Sequence, residues 1–167
     1  AGVMQVPIAF FIWDDGYGIS VPTKMQTTKG SISEALKGMQ KKDGSNGIEI
    51  YKVKAWDYAG MCEVFEAGIQ KIRDTHTPAL FHVEEVTQPQ GHSTSGSHER
   101  YKTPERLAWE REWDGNKKMR EWILENELAS EEELNDIEVA AKEKVRNGKQ
   151  MAWEKFWIPV KEQVTFS

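Results

Sequence analysis

Two short stretches of the chain combine residue types that do chemistry. The first is Asp14-Asp15-Gly16-Tyr17-Gly18-Ile19, which follows directly on the apolar run Val6 to Trp13. Adjacent carboxylates at that point admit two readings. They form a solvated turn, with aspartate accepting local backbone hydrogen bonds and Gly16 supplying a positive φ, or they hold magnesium, which is commonly bound by one or two carboxylates together with phosphate oxygens. The second stretch is Thr87 to Arg100, TQPQGHSTSGSHER. It sets His92 among Gly91, Ser93, Thr94 and Ser95, a mixture that offers several hydrogen bonds to a phosphate and one group that titrates near neutral pH. The plainer alternative is a solvent-exposed loop histidine without a task.

The elements around these stretches place both at the same end of a sheet. Val6 to Trp13 is a continuous apolar run of strand length, which suits a strand covered on both faces. Ser31-Ile32-Ser33-Glu34 has capping-box spacing ahead of Ala35, Leu36 and Met39 and predicts a short helix. A second strand is expected from Ile48 to Val53. Asp57 is a good N-cap, and Met61, Val64, Phe65, Gly68, Ile69 and Ile72 recur at three- and four-residue intervals, so Tyr58 to Arg73 reads as an amphipathic helix. Ala79 to Val86 is a third strand. Strand, helix and strand joined by short links indicate parallel βαβ units, whose ligands sit beyond the carboxyl ends of the strands. The fold class is therefore α/β with a parallel sheet. Thr103-Pro104 and Ser130-Glu131-Glu132-Glu133 then open helices, so the chain divides into an α/β part over 1–102, including the 87–102 loop, and a helical segment over 103–167 of the same domain.

Composition narrows the function classes. The 167 residues are 38% hydrophobic, enough for one ordinary domain, and the formal charge is −5. Between Thr103 and Arg146 there are 13 acids against 8 bases, which alone accounts for the excess and argues against a nucleic-acid surface. The apolar start lacks a basic flank and turns polar at Asp14, so neither a signal peptide nor a membrane span is expected, and the location expected is cytoplasmic. Cys62 stands alone and is expected to pack as a small hydrophobe. His76 and His82 read as structural, His98 as a loop residue, and the seven tryptophans as packing and subunit contacts.

Taken together, the two stretches resemble the alpha subunit of the thiamine-diphosphate-dependent 2-oxo acid dehydrogenases. DDGYGISVPT follows that family's strand-end motif with an asparagine pair replaced by Asp14-Asp15, and Gly91 to Ser95 (GHSTS) with Arg100 to Glu105 (RYKTPE) resembles its cofactor loop and the helix after it. The resemblance runs in order over nearly the whole chain. It implies the thiamine-diphosphate-binding fold, represented by part of its parallel sheet and a C-terminal helical segment. It implies Mg2+ at the Asp15 side chain and the Tyr17 carbonyl, and cofactor contacts at Tyr17, Ile19, His92 and Ser93. His92 would assist acyl transfer to a lipoyl group, and Ser93 matches a position phosphorylated in mitochondrial members. The implied partners are a beta subunit or fused beta domain, a lipoyl domain and a 2-oxo acid, with 2-oxoisovalerate favoured over pyruvate or acetoin. An aspartate in place of asparagine adds negative charge beside a diphosphate. The family's upstream Gly-Asp-Gly is absent, so the chain is expected to be a piece of a longer subunit and inactive alone. The other reading is a non-catalytic α/β module that binds a phosphorylated ligand or a protein partner through residues 87–100.

Overall fold

The computed structural model describes residues 1–92 and 98–165. By contacts the chain falls into two compact units, Ala1–Met119 and Arg120–Ser167. The first is α/β. Its strands are β1 (Ala9–Trp13), β2 (Tyr17–Gly18), β3 (Val21–Pro22), β4 (Glu49–Lys54) and β5 (Ala79–Glu84). Strands β1, β5 and β4 form a parallel sheet in that order, with Phe11 opposite Phe81 and Tyr51 opposite Phe81 in register. Strands β2 and β3 make a small antiparallel hairpin, Tyr17 opposite Pro22. The expected parallel α/β sheet is therefore present.

The apolar run that is buried on both faces is β5 rather than β1. Ala79, Phe81 and Val83 have no exposed surface, because β5 is the central strand and is flanked on both edges. The first strand begins at Ala9, three residues later than its apolar run, and Phe10 and Trp13 stay 42% and 57% exposed. This corrects the expectation that Val6 to Trp13 is covered on both faces. A continuous apolar run reports two hydrophobic faces and does not say whether the chain itself covers them.

Helix α3 (Tyr58–Thr75) covers the sheet. Asp57 caps it by accepting the Gly60 N–H at 2.9 Å, and His76, in the left-handed region at φ 54°, ends it with its N–H on the Ile72 carbonyl. The predicted stripe is the one that packs: Ile72, Val64, Phe65 and Ile69 meet Phe81 and Ala79. Cys62 is exposed, which corrects the expectation of a packed thiol. One position past Met61, it falls off the stripe. Gly68 is the closest approach, since a Cβ there would stand 2.5 Å from the Phe81 ring.

Between β1 and β4 the chain makes only short helices, α1 (Thr23–Gln26) and α2 (Ile32–Ala35). Ser31 caps α2 through the Glu34 N–H, and a separate 3₁₀ turn, Lys37–Met39, takes the remainder of the predicted helix. After β5 and the loop, His98–Arg100 forms a 3₁₀ turn and α4 (Pro104–Glu112) begins on a Thr103 cap that accepts the Arg106 N–H at 3.2 Å. Helix α5 (Gly115–Glu125) follows.

The second unit contains α6 (Glu131–Thr165), whose capping box is formed as read: Ser130 N–H meets the Glu133 carboxylate at 2.8 Å and the Glu133 N–H meets Ser130 Oγ at 3.2 Å. Trp153, Phe156 and Trp157 cluster on it, with Trp157 edge-to-face against the other two rings. No helix among the described residues is long and apolar enough to cross a membrane.

Candidate functional site

The carboxyl ends of the three parallel strands converge on a cleft of about 240 Å³. Strand β1 delivers Asp14 and Asp15, β4 ends in Lys54, and β5 delivers His82, Glu84 and Glu85. Arg106 reaches in from α4, and Ser31 and Thr23 complete the polar wall. Parallel strands bring this about because they all present the same end to one side, where the loops are free to diverge.

Asp14 is the most heavily held residue of the group. Its N–H donates to the Val83 carbonyl at 2.9 Å and its carbonyl accepts from Val86 N–H at 3.0 Å, so its backbone continues the pairing of β1 with β5 beyond Trp13. Its side chain accepts the Gly16 N–H at 2.8 Å on Oδ1 and faces His82 Nε2 at 2.9 Å on Oδ2. Asp15 Oδ1 accepts the Tyr17 N–H at 3.0 Å, and its carbonyl accepts from Arg106 Nη2 at 2.9 Å. Both carboxylates thus make the local turn that the plain reading requires, with Gly16 at φ 81°. The turn reading and the ligand reading are compatible, because the turn orients the second carboxylate.

Tyr17 opens the β2–β3 hairpin and its ring lies under two cations, Lys102 Nζ at 5.4 Å and the Arg106 guanidinium at 5.6 Å. Glu110, almost fully buried, binds both, at 2.8 Å to Lys102 and 2.9 Å to Arg106 Nε. One buried carboxylate thus anchors two cations beside the Asp14–Tyr17 turn, where Arg106 donates to the Asp15 carbonyl. Ile19 sits at the hairpin tip with φ 60° and its side chain 64% exposed. A β-branched residue in the left-handed region is strained, and such outliers concentrate at functional positions.

Lysines balance the acids of β5. Burial pushes the Glu84 carboxyl up, but the Lys52 and Lys54 ammoniums outweigh it and hold the group below the usual glutamate range. The same contest at Glu85 ends the same way, through Lys54 at 2.6 Å and the Trp56 indole N–H at 2.7 Å. Lys54 in turn is raised, first by its hydrogen bond to Glu85. Four carboxylates face Lys54 and Arg106 around the cleft, an excess of two acids over bases.

The sequence-derived site residues are only partly brought together. Asp15, Tyr17 and Ile19 lie on one turn and hairpin, with Asp15 in the cleft wall. His92 is exposed in the loop and is absent from the cleft lining. Ser93 lies outside the described residues. Carboxylate and carbonyl oxygens suit Mg2+, yet among the described residues no group of three His, Cys, Asp or Glu side chains could hold a metal ion. Asp15 and the Tyr17 carbonyl would supply two of six octahedral positions, leaving the others to water and phosphate oxygens.

Reasoning from the sequence missed Arg106, Lys102 and Glu110, and treated His82 as structural. A signal existed for His82. It is a polar residue inside the apolar strand Ala79–Glu84, and buried polar groups require partners.

Comparison with known proteins gives the chain a family. The family described as "Dehydrogenase E1 component" matches residues 1–158. Similar curated relatives include the pyruvate dehydrogenase E1 component subunit alpha of Rickettsia bellii, 26% identical over 146 residues, covering 87% of this chain and 42% of that protein. The Porphyra purpurea protein of the same name is 27% identical over 143 residues, covering 85% and 39%. The chain therefore spans about two-fifths of the length of these relatives. Matched along nearly all of its length, with a parallel sheet whose carboxyl ends carry the Asp14–Tyr17 turn, the chain belongs to the dehydrogenase E1 component family.

Proposed function

We propose that the chain forms the cofactor-binding alpha part of a thiamine-diphosphate-dependent 2-oxo acid dehydrogenase, acting with a beta part that completes the site. The observation that carries this reading is the Asp14–Tyr17 turn, held at the mouth of a strand-end cleft with the Arg106 guanidinium on the Asp15 carbonyl. Bound thiamine diphosphate supplies a nucleophilic carbon and an electron sink, so that a 2-oxo acid loses CO2 and its acyl carbon is oxidised as a lipoyl disulfide is reduced.

The chain's own residues position and balance charge. Asp15 and the Tyr17 carbonyl would hold Mg2+ against the diphosphate. Asp14 is turned toward His82, and Glu84 and Glu85 are engaged by lysines, so these three carboxylates already have partners within the protein. Arg106 adds a cation at the same turn. His92, exposed on its loop, is free to meet an incoming lipoyl group and assist acyl transfer. With two of six metal positions in hand, the chain by itself is expected to be inactive.

Two substrates are in contention on different grounds. The relatives' names speak for pyruvate, while the GYGISVPT and HSTS motifs resemble branched-chain members and speak for 2-oxoisovalerate. The test is to assemble the full-length protein with its beta partner and assay both acids with an artificial electron acceptor and with a lipoyl domain. Cofactor-dependent CO2 release is expected with at least one acid, and His92→Ala should impair lipoyl acylation more than acceptor reduction. No CO2 release from either acid would contradict the enzyme reading, and equal losses in both assays would contradict the role of His92.

A further inference from the structure

One side chain of the cleft has surroundings unusual for a strand residue. His82 is 1% exposed, in the middle of β5, the central strand of the parallel sheet. Its two ring nitrogens meet partners from two other elements: Nε2 faces Asp14 Oδ2 at 2.9 Å, after β1, and Nδ1 faces Ser33 Oγ at 2.9 Å, in α2. Ser33 is itself buried and continues the chain to Ser31 Oγ at 3.1 Å, at the wall of the cleft. The directions are constrained. An ionised carboxylate only accepts, so Nε2–H donates to Asp14 and Nδ1 is left to the serine hydroxyl.

The other oxygen of Asp14 accepts the Gly16 N–H. With both oxygens engaged, the carboxylate has one orientation, and that orientation fixes the turn from which the Asp15 carboxylate and the Tyr17 backbone project. We propose that Ser33, His82 and Asp14 form a positioning strut that aims the Asp15–Tyr17 ligand pair and keeps the Asp14 carboxylate away from the diphosphate. The inference rests on the cofactor-binding reading above. It also accounts for the tolerance of an acidic residue at position 14 beside an anionic ligand. The strut holds that charge on an imidazole N–H, where it cannot swing toward the phosphates.

A role in packing alone would make any substitution of a buried histidine damaging, so the test needs variants that separate hydrogen bonding from volume. His82→Gln retains an N–H donor on a side chain that can reach Asp14, whereas His82→Leu fills space without a donor. Ser33→Ala removes one hydroxyl and leaves the histidine in place. In the full-length protein assembled with its beta partner, binding of thiamine diphosphate at saturating Mg2+ is measured calorimetrically, beside the thermal unfolding midpoint of each variant without cofactor. His82→Leu should weaken binding by about 10-fold or more, because it leaves the partly buried Asp14 carboxylate without its donor and loosens the turn that carries the ligand pair, and His82→Gln should recover most of it. Ser33→Ala should weaken binding by about fivefold, in line with one hydrogen bond, and it carries the test should His82→Leu fail to fold. Equal weakening in the Gln and Leu variants, tracking the loss of thermal stability, would overturn the proposal, as would unchanged binding in Ser33→Ala and His82→Leu. A wild-type protein that binds no thiamine diphosphate would instead overturn the cofactor reading on which the strut depends.

Discussion

Glu84 and Glu85 are the groups through which acid should first loosen the cleft. Both carboxyls are held below the ordinary glutamate value of 4.5, so their pairing stabilises the fold above that pH and is lost as pH falls through the lowered folded values. Lys54, raised above 10.5, contributes in the opposite limb and loses its share only as pH rises beyond that value. Across neutral pH these pairs should leave stability flat. Glu85→Gln is therefore expected to lower the plateau between pH 6 and pH 8 and to flatten the acid limb, so that the two proteins converge below about pH 4.5, checked by denaturant unfolding at stepped pH. A variant whose acid limb matches wild type would show that Glu85 is not among the titrating groups. Much of this residue-scale chemistry was hidden in the sequence, because Lys54 and Glu85 lie 31 positions apart. The Asp14–Gly16 turn was legible since its partners are neighbours. The bond from His82 to Asp14 spans 68 positions, and only the polar residue inside an apolar strand hinted at it.

At the scale of elements, the positions that read true were those with local causes. Asp57, Thr103 and Ser130 cap helices by bonding to an N–H three residues on, which sequence spacing alone specifies. The α3 stripe packs as its period predicts. What the pattern could not give was the order β1-β5-β4, in which the last strand lies in the middle and takes the fully buried role that its apolar run shared with β1. The seam between α3 and β5 depends on Gly68, where an added Cβ would stand 2.5 Å from Phe81 and 3.1 Å from Tyr51. Gly68→Val should cost about 1–3 kcal/mol or more through overpacking, despite gaining a side chain in a helix. Chemical unfolding would check it, and an unchanged midpoint would mean that the seam can open.

For the whole molecule, the proposed function has the carboxyl ends of three parallel strands, with one helix from beyond the loop, build half of a cofactor site. The family match covers residues 1–158, which include the Asp14–Tyr17 turn and the strand ends around it. The Asp14–Tyr17 turn is where the sequence resembles the dehydrogenase alpha subunits, and it is also where β1, β5 and α4 meet in space. The most direct test is calorimetric titration of the full-length protein, assembled with its beta partner, with thiamine diphosphate at saturating Mg2+, wild type beside Asp15→Ala. The account predicts saturable one-site binding by wild type and weakening of at least roughly 100-fold in Asp15→Ala, more than loss of an outer partner costs. Equal binding by both proteins, or none by wild type, would contradict it.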